Sequence, residues 1–471
     1  MKVPFVGPSY DTEAKSFDVQ RTINMYPIVS EVQNSKSISA LRKTPGLQLY
    51  TTVIGGPIRG AITSTSGRAF VVSAQYFAEV NNDGSYTQHG TLATQSGRVS
   101  ISENQTQIMV VDGQNGWIFT KDTNTWEQIV DTDFPVCAYV TYQDGYFIVP
   151  EAGTQKLWIS ALGDGLSWDA LDFTSVESSS DNLVAILSDN GNLWCFGNRT
   201  IEVYQNTGAA AFPFERISGA IIQTGCEAPF TIQKFGGSIA WLGTDELGQG
   251  VVWVANGYTP IRISTSAIER KIASIGNFTT AYAFVYHDKG HQFYCLQING
   301  LDTTLCYDAN TQQWHERSYK NPLTNARELH LASCHFFFNK KHYVGDRVNG
   351  NVYELDEEFY DDAGDELVWE RVSPHLQDEK KLLRFSTFEL DMEVGVGKQS
   401  GQGSSPQIFL QYSDDGGNTW SSELWSEVGP AGNYRRRVVW RRLGMARDRV
   451  WKVSGSDPVF FQINEAFVNA T

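Results

Sequence analysis

Short apolar runs and clusters of Gly, Asn and Asp alternate along most of this chain. Ala69-Phe70-Val71-Val72 is followed by Tyr76-Phe77-Ala78-Glu79-Val80 and then by the polar stretch Asn81-Asn82-Asp83-Gly84-Ser85. The same order returns as Gln107-Ile108-Met109-Val110-Val111, Asp112-Gly113 and Gly116-Trp117-Ile118-Phe119, with Trp126 behind it. Apolar runs of this length bounded by turn residues read as strands, and Asp-Gly between two of them signals a tight hairpin. The pattern recurs roughly seven times at a spacing of about 35–45 residues. Its units fall near residues 59–94, 97–131, 136–177, 182–219, 226–268, 280–319 and 332–372. All-strand repeats of this period predict an all-β protein, a β-propeller of six or seven blades. Helical patterning is confined to Asp11–Lys15, Ala267–Ile275 and Pro322–Leu331.

The flanks break the repeat. Residues 1–55 form an extended, loop-rich N-terminal segment with Pro27 and the turn pair Pro45-Gly46 as stops. Such a segment cannot bury itself and is expected to lie along the propeller or a neighbouring subunit. The propeller is expected over 56–375 and a β-sandwich-like C-terminal domain over 376–471. There Phe385, Phe388, Leu390 and Met392 mark a strand, Gly395–Ser405 a break, and Ile408-Phe409-Leu410-Gln411-Tyr412 the next strand.

Composition narrows the function. With 41% hydrophobic and 19% charged residues, core material is ample. A formal net charge of −16 argues against wrapping nucleic acid, which needs cations to displace counterions. It suits a wall past which DNA slides without sticking. The six cysteines show no CxxC spacing and read as reduced, buried thiols. The N-terminus lacks a signal-peptide core, and no run approaches the ~18 apolar residues of a membrane span. Synthesis in a reducing cytosol, with no membrane span, is the expectation.

Three local features invite a chemical reading. Ser413-Asp414-Asp415-Gly416-Gly417-Asn418-Thr419-Trp420 fits the Asp-box pattern S-x-D-x-G-x-T-W, a hairpin-folding motif in which glycine takes a positive φ. The basic run Arg435, Arg436, Arg437, Arg441, Arg442, Arg447 and Arg449, placed on a strand, puts several guanidinium groups on one face. Such a face either contacts phosphates or forms salt bridges within the chain or between subunits. Its natural complement is the acidic run Glu354, Asp356, Glu357, Glu358, Asp361 and Asp362, which also reads as a solvated loop. His287 and His291 have the spacing of helical metal ligands, but Asp288-Lys289-Gly290 between them reads as a hairpin turn. No phosphate loop, nucleophile elbow or zinc-protease motif is present. The sequence therefore predicts no catalytic, cofactor-binding or metal-ligating residues.

Three stretches carry a family resemblance: Ile23-Asn24-Met25-Tyr26-Pro27 with Arg42-Lys43-Thr44-Pro45-Gly46-Leu47; Leu193–Tyr204 with Gly225-Cys226-Glu227; and Val438-Val439-Trp440-Arg441-Arg442-Leu443-Gly444. In order and total length the chain resembles the tail hub, or nozzle, family of short-tailed bacteriophages of the lambdoid podovirus type, also known as packaged-DNA stabilisation proteins. The resemblance implies a virion structural protein assembled in the host cytoplasm and located in the tail. It implies a homohexameric ring below the portal and its adaptor, holding the packaged genome and conducting double-stranded DNA on ejection without sequence recognition. It further implies anchorage of tail fibres or spikes and a distal plug, and no enzyme activity or cofactor. The alternative is a carbohydrate-binding or sialidase-like propeller enzyme, favoured by the Asp-box and the 13 tryptophans. A peptide-binding cytosolic propeller is a third reading.

Overall fold

The computed structural model describes residues 1–32, 34–176, 181–210 and 212–471. The end of the third sequence unit, at residue 177, lies outside the described residues. Strands dominate, and among the described residues one α-helix is present, Ser266–Ala273. The Thr265 side chain caps it by accepting from the Ile268 N–H. The other two expected helices are absent. Tyr10–Asp11 is instead a strand against Val19 and Gln20, and Arg327–Leu329 a strand against Ser318–Lys320. At both places strand pairing outweighs a weak local preference for helix.

Six four-stranded sheets are separate blades, and a seventh four-strand set begins a longer sheet. Blades one to six span residues 58–91, 100–128, 141–175, 183–222, 233–262 and 282–320. Blade seven spans 332–356 and takes its outermost strand, Gly46–Thr52, from the N-terminal segment. The second strands Ala69–Ser73 and Gln107–Val111 are buried at every position. Each is covered by a neighbouring blade on both faces, which is why the sequence shows continuous apolar runs and not alternation. In blades three to six the first hairpin closes on Asp144-Gly145, Asn190-Gly191, Gly236-Gly237 and Lys289-Gly290. Where φ is positive at both central residues, as in all four pairs, the turn matches the twist of the strands it joins.

Hydrophobic clusters fill the spaces between blades around the ring. Phe70, Phe77, Ile108 and Phe119 join blade one to blade two, and Val53, Ile58, Cys334 and Phe336 join blade seven back to blade one. The seventh sequence unit, expected to run to Val372, is corrected here. Its fourth strand is Gly46–Thr52, with Gly46 opposite Asp356 and Leu47 opposite Leu355. The two ends of the propeller sequence are thereby zipped together by ladder hydrogen bonds. A Cβ on Gly46 would meet the carbonyl oxygens of Asp361 and Phe359 at 2.4 and 2.5 Å, so only glycine fits that approach.

Trp369–Val372 leaves the propeller and pairs with Asp448–Gly455 of the C-terminal domain. On its other edge it pairs with Val19–Ile23, which also touches the last strand of blade six at Ile23 and Glu316. One sheet thus runs from blade six into the sandwich. Asn24, with φ of 51°, turns the chain from that sheet to the second one. There Met25–Val29 and Ser39–Lys43 form a hairpin, and the latter strand pairs with Gln462–Ala470. Asn tolerates the left-handed region better than most residues. Its side chain donates to the Ser318 and Val368 carbonyls at 2.9 and 2.8 Å and accepts from the Ser318 N–H at 2.9 Å. The N-terminal segment lies along its own propeller and sandwich, giving strands to three sheets. The sandwich core gathers Phe5, Trp369, Phe388, Trp440, Trp451 and Phe461.

Candidate functional site

The basic run does not form one strand face. Arg441 ends the strand Val438–Arg441, an edge of the sandwich, where it lies opposite Thr387, and Arg449 lies on a different strand, Asp448–Gly455. Arg435, Arg436 and Arg437 precede it on an exposed loop. Arg437 makes a two-pronged contact with Glu389 at 2.8 and 2.6 Å, and Arg436 pairs with Glu427 at 3.0 Å. Arg447 donates to the Lys380 carbonyl at 2.7 Å. Among the described residues Arg435, Arg441 and Arg442 make no ion pair, and all three are exposed.

Arg449 is an interior residue, 1% exposed. Its guanidinium lies over Tyr412, Phe385 and Trp451 and grips Asp414 at 2.5 and 2.7 Å. That pair ties the Asp-box hairpin to the sandwich. Within the box, Ser413 Oγ donates to Asp415 at 2.7 Å and accepts from the Gly417 N–H at 2.7 Å. Asp415 in turn accepts from the Asn418 and Thr419 N–H groups and the Thr419 hydroxyl. The Ser413 and Thr419 hydroxyls and these backbone donors hold its carboxyl well below the usual range. Gly417 has a φ of 88°, the conformation expected of that position.

The acidic run is largely consumed inside the chain. Glu354 pairs with Lys341 at 2.8 Å, and Asp356 accepts from the Glu358 N–H at 2.8 Å. Asp361 accepts from the Gly364 N–H at 2.9 Å, and Glu358 is exposed. Glu357 binds the Tyr26 hydroxyl at 2.6 Å, Lys289 at 2.5 Å and Arg42 at 3.4 Å. Burial works the other way, yet Lys289, Tyr26 and Arg42 hold its carboxyl below the ordinary range. Asp362 is 1% exposed, and neither carboxylate oxygen has a hydrogen-bond partner. Burial pushes it up to about 8 despite the nearby Lys43. Among the described residues no ion pair joins the basic run to the acidic one.

Two constellations escaped the sequence reading. At the junction, buried Glu316 pairs with Arg21 at 2.6 Å and Lys271 at 2.8 Å and accepts from Thr303 at 2.7 Å. Arg371, also buried, donates to the Phe5 and Pro8 carbonyls, the Gln20 side chain and the Thr22 hydroxyl at 2.6–2.9 Å. It fastens the start of the chain to the strand leaving the propeller. The second constellation is the propeller axis, a cavity of about 590 Å³ lined by the innermost strands of all seven blades. No sequence signal marked either one, because each is assembled from residues far apart in the chain. The His287 and His291 pair sits on a hairpin, as its neighbours suggested, with His291 against Asp308 at 2.7 Å.

Sequence comparison accounts for the chain almost end to end. The β-propeller model of bacteriophage P22 Gp10 matches residues 1–360, and the β-sandwich model of the same protein matches residues 368–471. The tail hub protein gp10 of Salmonella phage P22 is 22% identical over 444 residues, covering 90% of this chain and 89% of that protein. Among solved structures, the N-terminal domain of Nup159 superposes with a TM-score of 0.42 at 8% identity, over 71% of this chain and 98% of that one. YCF48 bound to D1 peptide gives 0.40 at 10% identity, over 75% and 98%. The order of the two matched models is the order of propeller and sandwich seen in the structure, and it bears out the resemblance carried by the Asn24, Gly46 and Trp440 motifs: this chain belongs to the bacteriophage P22 Gp10 family.

Proposed function

We propose that this protein is a tail hub of a phage virion, a structural part with no catalytic role. Copies form a sixfold ring below the portal and adaptor, retain the packaged genome, conduct DNA on ejection and carry fibres or spikes and a distal plug. The carrying observation is the match to the Gp10 models along both parts of the chain, together with the tail hub relative. The propeller axis adds a physical argument. At about 590 Å³ it has the size of a small-molecule site, far too small for a duplex. Any DNA passage therefore belongs to a ring of chains around a shared axis. A net charge of −16 per copy suits a wall that repels phosphates.

Within this reading the chain divides into an N-terminal segment (1–55), the propeller (56–375) and the C-terminal domain (376–471), with Gly46–Thr52 lent to the last blade and Trp369–Val372 to the sandwich sheet. The unpaired, exposed Arg441 and Arg442, with Arg435, are the part of the basic run left to meet another copy or a tail partner. Electron microscopy of the purified protein and of particles tests the reading. Sixfold rings at the tail are expected. A chain found only as a monomer, or absent from particles, rejects it.

A further inference from the structure

The seven blades repeat one topology with the first strand innermost, so the beginnings of the inner strands share one mouth of the axial cavity. Arg98 stands just before Ser100–Glu103, Tyr139 just before Thr141–Gln143, and Tyr282 opens Tyr282–Asp288. The Arg98 guanidinium lies over the Tyr282 ring at 4.6 Å. Among the described residues it makes no ion pair or hydrogen bond, and its covered Nε has no partner. Tyr139, 9% exposed, lines the same cavity, and its hydroxyl is likewise covered and unpartnered. Burial holds that phenol well above its ordinary value, so it remains a donor, while Arg98 pulls the other way from within electrostatic reach.

Arg59, near the same mouth, provides the contrast. Its guanidinium is spent on the Gly97, Ala74 and Thr94 carbonyls and the Thr94 hydroxyl at 2.7–2.9 Å. The carboxylates Asp112, close by, and Glu103, at the far end of the inner strand that follows Arg98, are engaged too. Asp112 accepts from Thr94 and from the Gln114 and Asn115 N–H groups, and Glu103 holds Lys121 and Ser64. Covered donors without acceptors are rare in native proteins, and here two of them, one cationic, belong to side chains that line the same cavity.

We propose that the propeller axis is a binding site for a small organic oxyanion, a carboxylate or a phosphate ester. The Arg98 fork holds two of its oxygens and the Tyr139 hydroxyl a third. A planar guanidinium matches either oxyanion in a two-pronged contact. Ile62, Val99, Ile101, Ile186 and Phe230 supply apolar wall for the body of the ligand.

Calorimetry and thermal unfolding of the full chain test the site, with citrate and inorganic phosphate as probes and chloride at matched ionic strength as control. Saturable binding is expected for at least one probe, and the arm that binds more tightly identifies the carboxylate or the phosphate source. Arg98→Met weakens it roughly tenfold or more, as loss of a charge-assisted hydrogen bond does. Tyr139→Phe weakens it less. Should Arg98→Met fail to fold, Arg98→Lys, which keeps the charge and loses the fork, is expected to bind several-fold more weakly. Absence of saturable binding by the wild-type chain, a response equal to that of chloride, or binding by the Arg98 and Tyr139 variants equal to that of the wild-type chain overturns the proposal.

Discussion

Blades two to five and the propeller–sandwich junction are both built of strands, yet they are held by different physics. Within those blades each strand pairs with the next one in the chain, and the packing between blades is mainly apolar, with single polar ties such as Gln107 to Asp164 and Gln143 to Gly191. At the junction, and in the ring closure and sandwich beside it, the partners are remote in sequence: Ile23 lies opposite Glu370, Gly46 opposite Asp356 and Lys2 opposite Phe467. Buried polar groups set the fit there, among them Asn24, Arg371, Glu316 and the Lys43–Asp362 neighbourhood. Apolar packing tolerates small changes of volume, whereas a buried polar network fails when one member is removed. The blades should therefore respond to mutation gradually and the junction abruptly.

The largest effect is expected from Glu316→Ala, which leaves Arg21 and Lys271 without the buried carboxylate they share. A loss of about 3–5 kcal/mol is expected, read from denaturant unfolding. A change as small as that of a conservative blade substitution would erase the distinction between the two regions.

Next comes pH. Burial raises Asp362 from 3.8 to about 8, so the folded chain keeps a proton that the unfolded chain releases. Over that interval the folded state binds more protons, and stability falls as pH rises. Lys43, lowered by burial from 10.5 to about 7, is charged in both states below that point and adds no slope there. Asp362→Asn is expected to flatten the decline between about pH 4 and about pH 7 by roughly 1 kcal/mol per pH unit. Parallel stability profiles for the variant and the wild-type chain would remove Asp362 from this account.

Arg371→Met is expected to cost about 2–3 kcal/mol and to free the N-terminal segment first, seen as earlier hydrogen exchange of residues 19–23. Protection there equal to wild type would mean that the strand pairing alone holds the segment. Ile108→Val, between blades one and two, should cost only about 1 kcal/mol, in one cooperative transition. Charge reversal of Arg441 and Arg442 should leave unfolding nearly unchanged and impair assembly into particles. Normal incorporation of that double variant would remove these arginines from the interface.

Much of the fold was legible because blades are local. The spacing of apolar runs placed the units, and Asp144-Gly145, Asn190-Gly191 and Gly236-Gly237 fixed hairpins that need no distant partner. The Asp-box was legible for the same reason, with Gly417 in the conformation its motif requires. The basic run was not. Seven arginines close in sequence are divided by the structure into an interior clamp (Arg449), groups bonded to neighbours (Arg436, Arg437, Arg447) and exposed unpaired cations (Arg435, Arg441, Arg442). Sequence spacing records which residues are near one another along a strand, but not which of them a second sheet will cover.

By itself the sequence determined the strands, their turns and the repeat, since hydrophobic period and turn chemistry act over a few residues. The tertiary structure alone decided that Gly46–Thr52 closes the last blade, that Val19–Ile23 joins propeller to sandwich, and that Arg98 and Tyr139 meet at the axis. Those arrangements depend on how a ring closes and which ends then come together. That geometry is settled by the summed packing of all the blades and leaves no mark on any short stretch of chain.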